Sequence, residues 1–151
     1  MMGGSGSGKS YVRNIRYAGM TTLDCDDIKT THPDYDPKNP QDLHAWSASE
    51  LKRAFFATTA TGESFVYDGT GSTAERYVNY ITHAQEMGYE VEVCYVTVPL
   101  TVALKRNAAR TRTVPEDVVR EKHSLVATAF EIVAPYADTC LLYTSPSPRD
   151  S

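Results

Sequence analysis

Residues 3–10 read Gly-Gly-Ser-Gly-Ser-Gly-Lys-Ser, and no other stretch narrows the fold as much. They fit G-x-x-x-x-G-K-[ST], a phosphate-binding loop that joins a strand to a helix. Glycines allow consecutive backbone N–H groups to turn inward around phosphate oxygens, at angles that side chains would block. A helix opening at about Gly8 aims its positive end at the same anion. In such a loop Gly3, Gly4, Ser5, Gly6, Ser7 and Gly8 wrap the phosphates, Lys9 reaches the β- and γ-phosphates, and the Ser10 hydroxyl ligates Mg²⁺. The plain alternative is a flexible Gly/Ser linker. Against it, Tyr11, Val12, Ile15 and Arg16 follow the lysine and serine at once as a helical run.

A phosphate loop leaves a buried parallel strand, and only Met1 and Met2 precede Gly3. Most of that first strand is therefore expected to be missing. At the other end, Cys140 to Asp150 reads CLLYTSPSPRD and resembles one reading frame of a transposon-type sequencing adapter. Residues 140–151 are set aside as a tail of that origin, the alternative being a short strand and a Ser/Pro run. The genuine domain is taken as residues 1–139.

A chain of 151 residues makes one domain with a proper core, and 41% hydrophobic with 23% charged residues is ordinary for a globular protein. The net charge of −4 argues against a general attraction to nucleic acid or acidic membrane. Cys25, Cys94 and Cys140 show no metal spacing, and the two outside the tail, Cys25 and Cys94, fit reduced thiols in a cytoplasmic protein. No apolar run is long enough for a membrane span.

Strands and helices alternate, the pattern of a parallel α/β sheet. A helix is expected over residues 9–17, and a short strand over 21–23 feeding the acidic cluster Asp24-Cys25-Asp26-Asp27. Pro33, Pro37 and Pro40 make residues 30–41 irregular. Ser47-x-x-Glu50 reads as a capping box for a helix with Leu51, Ala54, Phe55 and Thr58 on one face, ended by Gly62. Phe65-Val66-Tyr67 is a buried strand ending at Asp68. Ser72-x-x-Glu75 reads as the next cap, before a helix with Tyr77, Tyr80, Ile81 and Ala84, stopped by Gly88. Residues 91–98 form the clearest strand, and Pro99 terminates it. A helix over 100–110 follows. The last opens at Thr113-x-x-Glu116, with Pro115 in its first turn, and carries Val119, Val126, Phe130 and Val133.

Ligands of open α/β sheets collect at the carboxyl ends of the strands. That rule gathers the phosphate loop, Asp24–Asp27 and Asp68-Gly69-Thr70-Gly71 around one cleft. Phosphoryl transfer to an alcohol needs a base near the hydroxyl, Mg²⁺ and cations over the moving group. An aspartate of the first cluster suits the base. Asp68 suits either the metal, through water, or the acceptor. Lys105, Arg106, Arg110 and Arg112 supply cations, Arg106 and Arg110 sharing a helix face. Solvated or capping acids and surface ion pairs are the plain readings of the same residues. His32, His44, His83 and His123 lack ligand spacing, and Trp46 reads as packing.

Taken together, GGSGSGKS, LDCDDIK followed by HPDYD, VYDGTG, VTVPL and KRNAARTRTVP resemble the zeta-toxin family of P-loop kinases over about residues 3–138. The resemblance implies a three-layer α/β sandwich with a parallel sheet in the order 2-3-1-4-5, its first strand central. It implies transfer of a phosphoryl group from Mg-ATP or Mg-GTP to a hydroxyl of a small molecule. In the best-known members that acceptor is UDP-N-acetylglucosamine, and an antitoxin is a partner such a protein can have. By position, Lys9 and Ser10 serve the phosphates and Mg²⁺, and Asp26 matches the general base. Asp24, Asp68 and Thr70 fall among acceptor contacts. Arg106 and Arg112 match the cations over the phosphates, with Arg110 beside them at the nucleotide. The family often has glutamate at Asp68 and a polar residue at Cys25.

Two other functions fit the same motifs, a kinase for polynucleotide 5′-ends or another metabolite, and a nucleotide-binding switch or ATPase without an acceptor. Without a central strand, the neighbours near Phe65 and Val93 are expected to leave unpaired backbone groups, each costing on the order of 1–3 kcal/mol. The chain as written is then expected to be unstable or to aggregate through its open edges.

Overall fold

The computed structural model describes residues 1–4, 7–39, 42–110 and 114–144. Helix α1 (Lys9–Arg16) leads to strand β1 (Thr21–Asp24) and a short helix α2 (Cys25–Lys29). Helix α3 (His44–Thr61) precedes β2 (Phe65–Asp68), α4 (Ala74–Glu86), β3 (Glu92–Thr97) and α5 (Leu100–Ala108). Helix α6 (Glu116–Val133) runs through a 3₁₀ turn, Ala134–Tyr136, into β4 (Thr139–Thr144).

The strongest strand signal gives the most buried strand. Val93, Cys94, Tyr95 and Val96 are all buried, as a continuous apolar run covered on both faces should be. Alternation sends them to different neighbours. Val93 and Tyr95 pack with Ile81 of α4 and Val126, Ala129 and Val133 of α6, whereas Cys94 and Val96 pack with Val12 of α1. On α3 the buried stripe is Ser47, Leu51, Phe55 and Thr59, an i, i+4 row that meets Leu23 and Ala84. Gly62 and Gly88 follow α3 and α4 with φ of 76° and 94°, left-handed values that favour glycine.

Both strand pairs are parallel. Thr21 to Asp24 lie opposite Phe65 to Asp68, and Glu92 to Thr97 lie opposite Thr139 to Thr144. The described strands thus form two separate two-stranded sheets, not the continuous five-stranded sheet expected from the resemblance. Between β2 and β3 lie Met1 and Met2, with an isolated parallel bridge from Met2 to Tyr95. Met2 N–H donates to Cys94 O at 2.8 Å, and Val96 N–H donates to Met2 O at 2.9 Å. The Met1 amino group donates to Tyr67 O at 2.6 Å. Met2 is fully buried.

Three local expectations are corrected. Ser47 does not cap α3, which begins at His44 behind Leu43 with φ 67°. The Ser47 N–H already donates to Leu43 O, and its hydroxyl donates to His44 O at 3.0 Å, so the residue is inside the helix where an N-cap cannot be. Ser72 does not cap α4. Thr73 holds that place without a side-chain cap, and the Ser72 hydroxyl meets Thr70 Oγ1 at 3.3 Å. Pro115 stands at the N-cap of α6, one place before the first turn, and Thr113 lies outside the described residues. Residues 140–144, set aside on sequence grounds, form most of the sparsely buried strand β4, with Leu142 61% exposed.

Candidate active site

The glycine-rich loop starts from the bridge made by Met2 and turns under the carboxyl end of β3. Gly3 N–H donates to Thr70 O at 3.0 Å and Ser7 N–H to Gly4 O at 3.2 Å, while Ser5 and Gly6 lie outside the described residues. A Cβ on Gly3 would sit 2.8 Å from Val96 O and 2.9 Å from Ser7 Oγ. The loop can therefore approach β3 this closely only with glycine there. Gly8 is the N-cap of α1 with φ 88°, and among the described residues no side chain caps the helix start by a hydrogen bond. Ser7 is buried, and its hydroxyl has no hydrogen-bond partner among the described residues. A buried orphan hydroxyl, a cradle that a Cβ would fill and an uncapped helix start fit a phosphate chain.

Lys9 opens α1 and points across the carboxyl end of β2. Its ammonium lies 2.9 Å from Asp68 Oδ1, as an ion pair, and donates to Gly69 O at 3.1 Å. Asp68 is buried at the end of β2, where strand alternation turns its side chain inward. Its other oxygen, Oδ2, accepts from Arg13, which also stands 3.6 Å from Asp24 Oδ2. Arg13 escaped the sequence reading. Its signal was position, since it follows Lys9 by four residues and so shares a face of α1.

Asp24 ends β1 and caps α2. Its Oδ1 accepts from Asp26 N–H at 2.7 Å and Asp27 N–H at 3.4 Å. Burial raises its pKa, and those backbone bonds oppose the shift. The acidic cluster is thus partly helix, and its members face different surroundings. The Asp26 side chain is 89% exposed and stands 3.9 Å from the ammonium of Lys29, itself a buried lysine. Cys25 lies below, its sulfur 3.0 Å from the Ser47 hydroxyl.

Lys9, Asp24, Asp26, Asp68 and Thr70 line one cavity of about 910 Å³, together with residues of α3 and with Tyr67, Arg76 and Tyr80. Burial pushes the Tyr67 hydroxyl up to about 12, which keeps it a neutral hydrogen-bonding group. Arg76, Lys29 and His44 are wall residues that the sequence reading did not assign. Ser10 is exposed in the first turn of α1. Arg106, on α5, and Arg110, just after it, do not line this cavity, and Arg112 lies outside the described residues. Among the other histidines, His83 meets Thr59 and His123 meets Val98 O, both through Nε2. Trp46 packs edge-on against His32.

A glycine-rich loop leading from an extended segment into a helix that begins Lys-Ser, in a mixed α/β fold with parallel strands, marks a P-loop nucleotide-binding domain. The family model described as Zeta toxin matches residues 1–138. The chain belongs to the zeta toxin family, whose domain is a P-loop kinase-like phosphotransferase acting with a nucleotide substrate. No curated protein matches the chain. Among the described residues no helix is long and apolar enough to cross a membrane.

Proposed function

We propose that this chain transfers the γ-phosphoryl group of ATP or GTP to a hydroxyl of a small molecule, with UDP-N-acetylglucosamine the first acceptor to test. The observation that carries this reading is the Asp26 carboxylate, exposed on the wall of the cavity that also holds Lys9. Three aspartates border that space, and two are committed elsewhere. Asp68 is buried against Lys9 and Arg13, and Asp24 caps α2 beside Arg13. Asp26 alone of the three combines exposure with a place on the wall, so it takes the role of proton acceptor.

Bound with Mg²⁺, the nucleoside triphosphate supplies the electrophilic phosphorus and the leaving group. The loop from Gly3 to Gly8 would hold its phosphates, Lys9 offset their charge, and the Ser10 hydroxyl ligate the metal. The acceptor hydroxyl gives its proton to a carboxylate oxygen of Asp26. Asp24, Asp68 and Thr70 orient the acceptor. Arg106 and Arg112 complete the positive lining over the phosphates, and Arg110 contacts the nucleotide.

Residues 1–139 make up the domain. The two bonds of Met2 to β3 and that of Met1 to β2 support an arrangement in which these residues hold the central place of a 2-3-1-4-5 sheet. The apolar neighbours on both faces of β3 support three layers. The test is transfer of labelled phosphate from ATP or GTP to a panel of nucleotide sugars, run beside hydrolysis without acceptor. Acceptor-dependent transfer is expected, and turnover that ignores every acceptor would overturn the reading.

A further inference from the structure

Strand register sets two acids face to face. Asp24 ends β1, Asp68 ends β2, and the two are direct partners in the parallel ladder. Like charges directly opposite in a sheet repel. Burial first, and the charge of Asp68 with it, works against the ionised form of Asp24. One side chain meets both acids. Arg13 of α1 hydrogen-bonds Asp68 Oδ2 through Nη1, and the same nitrogen stands 3.6 Å from Asp24 Oδ2. Lys9, one turn earlier on that helix face, holds the other oxygen of Asp68 at 2.9 Å. Two acids at strand ends are thus matched by two cations of one helix.

Asp24 has a second task. Its Oδ1 accepts from the amides of Asp26 and Asp27 at 2.7 and 3.4 Å, which fixes the start of α2. A path of contacts therefore runs from Arg13 through Asp24 to the backbone that carries Asp26. Asp24, Asp26 and Asp68 line the 910 Å³ cavity and Arg13 does not, so Arg13 reaches that space only through the acids.

We propose that Arg13 is a positioning residue for the acceptor: its guanidinium holds Asp24 beside Asp68 and thereby sets the opening turn of α2 and the place of Asp26. The acceptor role rests on the kinase reading, whereas the coupling from Arg13 to α2 stands without it. Both contacts leave from one nitrogen, so a single cationic point suffices and a lysine ammonium can supply it.

The experiment compares Arg13→Gln and Arg13→Lys in the full chain. In Arg13→Gln, Asp24 faces Asp68 without its cation and turns toward water. Exchange of the Asp26 and Asp27 amides, followed by NMR, is expected to quicken at least about threefold. Residues 92–97 of β3 are expected to keep the parent's rates. Arg13→Lys should stay within about twofold of the parent at both amides. Adding Asp24→Asn to Arg13→Gln removes the unpaired charge but leaves a capping oxygen, so slow exchange should return. Parent-like amides in Arg13→Gln overturn the proposal, as does equally faster exchange across β3 or a double variant that does not recover. If Arg13→Gln does not fold, the double variant decides alone, and it must fold with slow exchange at both amides.

Kinetics read the acceptor role. In Arg13→Gln the acceptor KM is expected to rise at least about tenfold, and by more than the nucleotide KM, with Arg13→Lys near the parent. An arginine that only supports the fold lowers the amount of active protein, and with it the apparent kcat, while KM stays put. That pattern overturns the acceptor role. If the parent chain transfers to no acceptor, the kinase reading fails, and the exchange comparison still decides whether Arg13 governs α2.

Discussion

The ammonium of Lys9 lies 2.9 Å from Oδ1 of Asp68, a carboxylate whose side chain is only 2% exposed. Arg13 holds the other oxygen of the same group. The lysine that the loop motif assigns to phosphate therefore has a protein anion as its partner, and any phosphate that engages it competes with Asp68. Asp68→Asn leaves two cations facing a neutral group, and it should destabilise the fold by about 3 kcal/mol, near the lower end for breaking a buried pair. Phosphates can replace the lost charge. The rise in melting temperature on adding Mg-ATP should then be larger in Asp68→Asn than in the parent chain, and equal rises in thermal melts would refute the competition.

Asp26 is held more loosely, its side chain 89% exposed and its carboxylate 3.9 Å from the Lys29 ammonium. Asp26→Asn keeps the shape and the exposed position while removing the proton acceptor. Transfer to an acceptor should fall by at least about 100-fold in kcat, with nucleotide affinity within about twofold of the parent. Single-turnover transfer and a fluorescent-nucleotide titration read the two quantities separately. Loss of affinity alongside kcat would make Asp26 a binding group instead.

Gly3 and Gly4 differ in what surrounds them. A Cβ on Gly3 meets Val96 O and Ser7 Oγ inside 3 Å, whereas one on Gly4 meets nothing within 4 Å. Gly3→Ala should therefore push the loop off β3 at a cost of about 1–3 kcal/mol and weaken nucleotide retention at least about tenfold. Gly4→Ala should melt close to the parent. Melting curves of the two variants check the contrast.

The Met1 amino group gives the chain a pH dependence near neutrality. Its pKa falls from 8.0 to about 6 on burial. Above pH 8 the group is neutral both folded and unfolded, so it contributes no slope. Between pH 8 and 6 the unfolded chain binds the proton first, and stability falls with pH by about 2–3 kcal/mol in all. N-terminal acetylation should remove that part of the slope. Urea unfolding at pH 6 and 8.5, with and without acetylation, measures it.

Much of this was legible in the sequence where the cause is local. Gly62 and Gly88 mark helix ends because only glycine takes those angles without strain. Pro99 ends β3 and starts α5 because it cannot donate to a ladder. The capping-box readings at Ser47 and Ser72 failed for one reason. A hydroxyl before a glutamate has several backbone partners within reach, and packing chooses among them. At Ser47 the choice went to the helix interior, beneath Cys25.

The sequence by itself determined the phosphate loop, the strand and helix order and the membership of Asp24, Asp26 and Asp68 in one cleft, because periodicity and loop chemistry act over a few residues. Only the tertiary structure decided that Arg13 and Lys9 share Asp68 and that Met1 and Met2 bridge two half-sheets. Those outcomes depend on contacts between residues more than 50 positions apart. Burial and charge pairing set such contacts after the chain has collapsed, and no short window of sequence contains them.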